Sequence, residues 1–257
     1  MKISTLVLVA LVFAPARAAA QDFRWHAVLA TGKTLEVRGV NGPIHATRAS
    51  GSEAEVVATR RARKSDPASV EIKMVEDDGN MTVCALYPTR RGRRANECRP
   101  GGGNDGEIRN NDVEVTFEVQ VPAGVEFHGV TVNGDVTAED LESEASLATV
   151  NGDIDVETGG VAEGTTVNGS ITARLGRADW DRSLKFTTVN GGIRVSLPSS
   201  ASTEVEATTV NGSVESDFPI TVQGRLRSGS LRGRIGDGGR LLDLTTVNGS
   251  IRLEKGT

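Results

Sequence analysis

The stretch Thr131-Val132-Asn133-Gly134-Asp135-Val136 decides the fold, because close copies of it return along the second half of the chain. In each copy, Thr-Val precedes an Asn-Gly pair and a Val or Ile follows the glycine by two positions. The Asn-Gly pairs are Asn133-Gly134, Asn151-Gly152, Asn168-Gly169, Asn190-Gly191, Asn211-Gly212 and Asn248-Gly249. The steps from Asn to Asn are 17 to 22 residues, except for a final step of 37. A regular period of this size is typical of stacked-repeat architectures.

A further copy is expected inside the long final step. Residues 230–235 keep the hydroxyl residue, both apolar residues and the glycine, with Arg232 in the place of Asn. This pattern predicts a degenerate coil that turns at Gly233, places its two apolar residues in the core and points Arg232 to solvent. An outlying copy, Val40-Asn41-Gly42, lies near the other end of the chain.

Two all-β folds use this repeat, a meander of hairpins and a β-solenoid. In a meander, Asn-Gly closes a tight turn between two paired strands. In a solenoid it forms a corner, and each strand pairs with its equivalent one coil away. Only the solenoid explains why Thr or Ser precedes the first apolar residue in every copy, because like residues then stack in ladders about 4.8 Å apart. The sequence therefore predicts a β-solenoid (β-helix) of about seven coils.

The alternation within each copy predicts which side chains enter the core. The first Val of a copy and the Val or Ile four positions later are expected to point inward together, and the Thr column to point outward. Asn-Gly is expected at each corner because both residues tolerate a positive φ.

The chain divides into three parts. Residues 1–20 hold a lysine, a short apolar run and two overlapping A-x-A sites, which is typical of a cleaved secretory signal. The alternative, an N-terminal membrane anchor, needs an apolar run of roughly 18 residues, and this one is shorter. Residues 21–121 form an N-terminal strand-rich region without a regular period, and residues 122–257 carry the regular repeats.

Two cysteines, Cys84 and Cys98, flank an arginine-rich segment. In an oxidising compartment such a pair usually closes, so we predict a disulfide. We expect no metal site, because these two cysteines and the scattered His26, His45 and His128 do not have the spacing of a ligand set.

The composition argues against several classes of function. Acidic side chains outnumber basic ones by 34 to 29, and loss of residues 1–20 would move the net charge from −5 to −7. With no aromatic residues interleaved among the arginines, we expect no nucleic-acid partner. Residues 101–106 match the glycine pattern of dinucleotide-binding loops, but no buried strand and helix flank them, so we expect no cofactor.

Asp135 and Asp153 are the strongest catalytic candidates. Both follow Asn-Gly in adjacent copies, so stacking would bring the two carboxylates near the roughly 5 Å separation that retaining glycosidases use. The rest of their column is small and polar, which offers no apolar pocket to turn one carboxylate into an acid. We expect solvated turn residues, or a weak cation site, and no hydrolysis.

Several segments together carry a family resemblance: the signal peptide, the T-V-N-G copies, Val83-Cys84-Ala85-Leu86-Tyr87-Pro88, Val119-Gln120-Val121-Pro122-Ala123-Gly124-Val125, and Asp217-Phe218-Pro219-Ile220 leading to Ser230-Leu231-Arg232-Gly233. With them the chain resembles the bacterial putative-adhesin family (domain of unknown function 4097), which consists of exported β-strand-repeat proteins. The resemblance covers most of the chain after the signal. It implies a β-helical fold and an envelope or extracellular location, and it brings no catalytic residues.

These observations predict a non-enzymatic, exported structural or interaction module of the bacterial envelope, in the periplasm, outside the cell or on its surface. The expected partners are an envelope polysaccharide or another protein, and the chain is not expected to span a membrane once the signal is cleaved. Two alternatives stay open: a β-helical enzyme that cleaves polysaccharides, and an envelope-stress reporter that binds a membrane partner.

Overall fold

The structure is a computed structural model that describes residues 23–89, 92, 94–102, 110–222 and 229–256. The expected secretory signal lies outside these residues. The described chain is all-β apart from one short 3₁₀ helix, Pro67–Ser69. Within the described ranges, no helix is long and apolar enough to cross a membrane.

The described chain contains 21 strands. In chain order they are β1 (Phe23–Val28), β2 (Thr34–Arg38), β3 (Ile44–Arg48), β4 (Glu53–Arg61), β5 (Glu71–Asp77), β6 (Asn80–Leu86), β7 (Glu114–Val121), β8 (Glu126–Val130), β9 (Val136–Leu141), β10 (Ala145–Ala148), β11 (Ile154–Thr158), β12 (Ala162–Thr165), β13 (Ile171–Leu175), β14 (Leu184–Thr187), β15 (Ile193–Leu197), β16 (Thr203–Asn211), β17 (Val214–Ser216), β18 (Ile220–Val222), β19 (Ser230–Ile235), β20 (Leu241–Asn248) and β21 (Ile251–Lys255).

The strands form two sheets that enclose one core. Sheet A has the order β1-β4-β7-β3-β9-β11-β13-β15-β21-β17, and sheet B has the order β18-β19-β16-β20-β14-β12-β10-β8-β2-β6-β5. Along the middle of sheet A the strands are parallel and equivalent residues pair, as in Ile154 with Ile171 and Ile171 with Ile193. Pairing of like with like, one coil apart, confirms the β-solenoid over the hairpin meander.

Each coil runs along a strand of sheet B, turns at an Asn-Gly corner and returns along a strand of sheet A. After the corner, a β-branched side chain enters the core in six coils and is at most 1% exposed: Ile44, Val136, Ile154, Ile171, Ile193 and Ile251. Leu and Phe from sheet B, such as Phe127, Phe186 and Leu244, fill the space between the sheets. Burial of these apolar columns is the main force that holds the coils together.

The order of the coils in space differs from their order in the chain. The corner asparagines stack as Asn41, Asn133, Asn151, Asn168, Asn190, Asn248 and Asn211. The outlying copy at Asn41 is therefore the first coil, and β3 pairs with both β7 and β9. The last copy in the chain lies inside the stack, because β20 pairs with β14 on one side and with β16 on the other.

The prediction of a degenerate coil at residues 230–235 is wrong. This segment is β19, which pairs antiparallel with β16 and β18, and Gly233 lies opposite Val205 in mid-strand instead of at a corner. A Cβ at Gly233 would lie 2.5 Å from the side chain of Ile220, so close packing in this part of the sheet accounts for the glycine. Arg232 is exposed, with its guanidinium 3.7 Å from the carboxylate of Glu206.

Candidate functional site

Threonine lines the buried side of every regular corner. The six threonines are 1–4% exposed: Thr131, Thr149, Thr166, Thr188, Thr209 and Thr246. Each hydroxyl donates a hydrogen bond of 2.8–3.1 Å to the carbonyl oxygen of the corner glycine in the neighbouring coil. A buried hydroxyl is costly unless it is paired, and this bond therefore allows the threonine column to lie inside.

The valine that follows each threonine points to solvent, so the prediction that this column enters the core is wrong. Five of these side chains, Val132, Val150, Val167, Val189 and Val247, are 37–39% exposed, and Val210 in the end coil is 69% exposed. The physical reason lies in the corner. Along a straight strand, residues an odd number of positions apart point to opposite faces. The buried Thr and the next buried Val or Ile are five positions apart and both point inward, so the alternation is interrupted at the bend.

The corner asparagines form a continuous ladder on the surface. Each Nδ2 donates to the Oδ1 of the asparagine in the neighbouring coil at 2.7–2.8 Å, in six consecutive bonds from Asn41 to Asn211. An asparagine amide has two N–H donors and an oxygen that accepts two hydrogen bonds. Each interior amide therefore keeps one N–H and one acceptor position beyond those that the ladder uses.

We call these two exposed columns the Val–Asn stripe. Its members are Val132, Val150, Val167, Val189, Val247 and Val210 with Asn133, Asn151, Asn168, Asn190, Asn248 and Asn211. The neighbouring column before the buried threonines is also uncharged and comprises Val130, Ala148, Thr165, Thr187, Thr245 and Thr208. The stripe is thus an apolar row beside an amide row, repeated once per coil along the stack.

Close approach between coils, and not a positive φ, requires the corner glycines. A Cβ would lie 1.9–2.1 Å from the carbonyl oxygen of the neighbouring corner glycine at five positions: Gly152, Gly169, Gly191, Gly212 and Gly249. Among the seven corners only Gly42 and Gly134 have a positive φ. At the other five corners the neighbouring carbonyl leaves no room for a side chain, so space and not tolerance of a positive φ requires glycine there.

Asp135 and Asp153 stack in adjacent coils, as their spacing in the sequence predicts, and each carboxylate has a structural partner. Asp135 Oδ1 accepts the backbone N–H of Asp153 at 2.8 Å, and Asp153 Oδ1 accepts the backbone N–H of Ser170 at 2.7 Å. The two side chains thereby extend the hydrogen bonding between coils beyond the corners. In the described part of the chain, no group of three or more His, Cys, Asp or Glu residues is placed to hold a metal ion.

The stripe is covered at its N-terminal end. Val40, which precedes Asn41 in the first coil, is only 6% exposed. The buried hydroxyl of Tyr87 donates to the carbonyl oxygen of Val113 at 2.8 Å and lies 3.3 Å from that of Asn41. Burial raises the pKa of Tyr87 to about 12, so the hydroxyl keeps its proton. The exposed part of the stripe therefore begins at Val132.

Cys84 and Cys98 form a disulfide. Cys84 lies in β6, near the N-terminal end of the stack, and the bond fixes the segment that follows this strand. Three arginines of the intervening segment, Arg90, Arg91 and Arg93, lie outside the described residues.

A second surface feature is a groove of about 1090 Å³ at the opposite ends of the sheet A strands. Both arginines that line it pair with carboxylates, and Arg48 pairs with Glu142. Arg174 lies 2.8 Å from Asp155 and 3.7 Å from Glu157. The groove is lined by charges of both signs, in contrast to the uncharged stripe.

Comparison with known proteins gives one family and several structures. The model of the family described as Toastrack DUF4097 matches residues 103–254. No curated protein matches the chain. A putative cell adhesion protein from Clostridium sporogenes is 12% identical, with a TM-score of 0.46, and the match covers 92% of this chain and 100% of that one. A putative adhesin from Bacteroides fragilis is 12% identical, with a TM-score of 0.30 and coverages of 91% and 97%.

Proposed function

The chain belongs to the Toastrack DUF4097 family, and we propose that it is a non-enzymatic interaction module of the bacterial envelope that binds its partner through the Val–Asn stripe. The observation that carries the proposal is the exposure of the stripe valines. Soluble proteins scatter single exposed apolar residues, whereas these six valines lie in one unbroken row, as expected of a narrow binding surface.

The repeats themselves supply a second argument. The exposed column that follows the corner glycines varies among Asp, Ser and Gly, whereas the exposed valine is identical in all six regular copies. Five of these valines are 37–39% exposed, so burial covers only part of each side chain, and strand propensity does not single out valine because Ile and Thr also suit a strand. An exposed apolar residue retained in six copies is expected where the column contacts a partner.

Two observations support a location outside the cytoplasm. The disulfide between Cys84 and Cys98 is a bond that persists in oxidising compartments and is rare in the cytosol. Residues 1–20 have the composition of a cleaved secretory signal. The proposal places the stack in the periplasm or on the cell surface.

The roles of the two stacked aspartates argue against the enzymatic alternative. A retaining glycosidase needs one carboxylic acid and one free carboxylate on either side of the scissile bond. Asp135 and Asp153 each accept a backbone N–H of the next coil, so both act as acceptors in the same structural role.

The proposal is tested by binding of the fluorescently labelled protein to washed cells and envelope fragments of its source bacterium. The stripe variant is Val150→Thr/Val167→Thr/Val189→Thr, which removes apolar methyls but keeps β-branched residues. The control variant is Val28→Thr/Val222→Thr, which replaces exposed valines outside the stripe.

Wild type and control are expected to bind alike, and the stripe variant at least about tenfold more weakly. Equal binding by all three proteins, or binding by none, would overturn the proposal.

A further inference from the structure

We infer that the ligand of the Val–Asn stripe is a neutral, extended, β-linked polysaccharide that lies along the stack with one pyranose ring on each coil. The inference rests on the proposed function and adds the chemical class of the partner. Four properties of the stripe lead to it: its repeat distance, the chemistry of its two columns, its lack of charge and its width.

The repeat distance suits a linear chain of sugars. Parallel strands in register space the coils about 4.8 Å apart, and the short amide bonds of the asparagine ladder keep this spacing along the stripe. In an extended β-linked chain each pyranose ring advances by nearly the same distance. Successive rings of an extended β-1,4-linked chain are turned over by half a rotation about the chain axis. Each ring can therefore lay a face with axial C–H groups on a valine, while the same edge returns to the amide row at every second coil. α-Linked chains curl away from a straight row.

The two columns match the two kinds of surface on a sugar ring. A pyranose has axial C–H groups on its faces and hydroxyl groups around its edge. The valine methyls offer an apolar row for the C–H groups, and their burial by a ligand is favourable. Beside each valine, the corner amide has one N–H and one acceptor position beyond the ladder, and a hydroxyl group can accept from the first and donate to the second.

The stripe selects for a neutral ligand. None of its members is charged, and the column before the buried threonines is also neutral. Asp135 and Asp153, on the other side of the amide row, disfavour an anionic polymer. Two arginines on the outer face of sheet A are paired with carboxylates, as in Arg194 with Glu254 at 3.2 Å and Arg252 with Glu215 at 3.1 Å.

The width of the stripe argues against a protein partner. Six coils give a length of roughly 24 Å, and two residues give a width of roughly 7 Å, so the stripe covers on the order of 170 Å². A stable protein interface buries about 800 Å² on each partner. A second copy of this chain or another globular protein would need far more surface, whereas a single glycan of about six rings needs no more than the stripe provides.

The inference is tested by calorimetry, which measures binding of purified, disulfide-bonded protein to three hexasaccharides. Cellohexaose is the β-linked neutral probe. Maltohexaose has the same rings in α-linkage, and the hexamer of β-linked glucuronic acid has the same linkage with a carboxylate on every ring. The same stripe and control variants are used, and their unfolding midpoints are compared with that of the wild type to verify the fold.

We expect cellohexaose to bind the wild type and the control variant with the same affinity. Maltohexaose and the glucuronate hexamer should each bind these two proteins at least about tenfold more weakly than cellohexaose does. The stripe variant should lose cellohexaose affinity by a similar factor. Equal affinity for cellohexaose and maltohexaose, or an unchanged stripe variant, would overturn the inference.

Two further outcomes separate the inference from the proposed function. If the stripe variant loses binding to envelope fragments but no hexasaccharide binds the wild type, the inferred ligand class is wrong and the proposed function as an interaction module is retained. If the wild type sediments as a dimer and the stripe variant as a monomer, the stripe contacts a second copy of the chain and the inference is overturned.

Discussion

Asn248 donates its side-chain amide to Asn190 at 2.8 Å, although 58 residues separate them in the chain. On its other side, Asn248 accepts from Asn211 at 2.7 Å. The last repeat of the sequence is therefore an interior coil, enclosed between the fourth and fifth regular repeats. The segment that connects Asn211 to Asn248 contains β17, β18 and β19, and it returns the chain to this position.

This placement makes the C-terminal strands as important to stability as the middle of the stack. Ile251→Ala and Ile171→Ala, at residues 0% and 1% exposed, should each lower the free energy of unfolding by about 2–5 kcal/mol. Val214→Ala, in the end coil and half-buried, should cost less. Urea denaturation of the three variants measures the difference. A small loss for Ile251→Ala beside a large one for Ile171→Ala would show that the last repeat lies at an end.

The opposite directions of Thr166 and Val167 lead to a second prediction. Thr166 is 1% exposed, and its hydroxyl donates to the carbonyl oxygen of Gly152 at 3.0 Å. Thr166→Val keeps the shape but removes the donor and leaves a partly buried carbonyl without this partner, so we expect a loss of about 1–2 kcal/mol. Val167→Thr should change stability by less than about 0.5 kcal/mol. If urea denaturation showed a larger loss of unfolding free energy for Val167→Thr than for Thr166→Val, the valine and not the threonine would lie in the core.

A third prediction concerns the contact between coils at the corners. A Cβ at Gly191 would lie 2.0 Å from the carbonyl oxygen of Gly169, which is backbone and has no rotamer to change. Gly191→Ala should therefore lower the free energy of unfolding by about 3 kcal/mol or more. Gly51→Ala is the control, because a Cβ there meets nothing within 4 Å, and its effect should stay below about 1 kcal/mol. Equal effects of the two substitutions on the urea midpoint would contradict the steric argument.

The pH dependence of stability should depend on Asp112. Hydrogen bonds from Ser65, first its hydroxyl and then its backbone N–H, lower the pKa of Asp112 from 3.8 to about 2. A carboxylate with a lowered folded-state pKa contributes stability above its unfolded-state pKa and loses it as the pH falls through the folded-state pKa. We therefore expect wild type to lose stability between about pH 4 and pH 2.

Asp112→Asn should remove part of that acid-dependent loss, since an amide does not titrate in this range. Asp237→Asn is a suitable control, because within the described residues the Asp237 carboxylate has no hydrogen-bond partner. Urea midpoints of the three proteins at several pH values between about 2 and 5 provide the measurement. Identical curves for wild type and Asp112→Asn would contradict the prediction.

The sequence alone determines the local features of this protein. The period of the Thr-Val-Asn-Gly copies predicts coils instead of hairpins, and it locates the six regular corners from Asn133-Gly134 to Asn248-Gly249. Cys84 and Cys98 are the only cysteines, so a disulfide requires no choice of partner. These features can be predicted because they depend on residues that are close in the chain or, for the disulfide, on two cysteines that have no alternative partner.

Only the tertiary structure decides which column is buried and in which order the coils stack. The direction of Thr166 and Val167 depends on the bend at the corner and on a carbonyl oxygen supplied by the neighbouring coil, and a period counted along one strand contains neither. The sequence does not predict the order of the coils either, because nearly identical copies present the same pairing edge to one another. Residues 230–235 show the same limit: the segment keeps the repeat pattern, but its antiparallel partners β16 and β18 make it a strand without a corner.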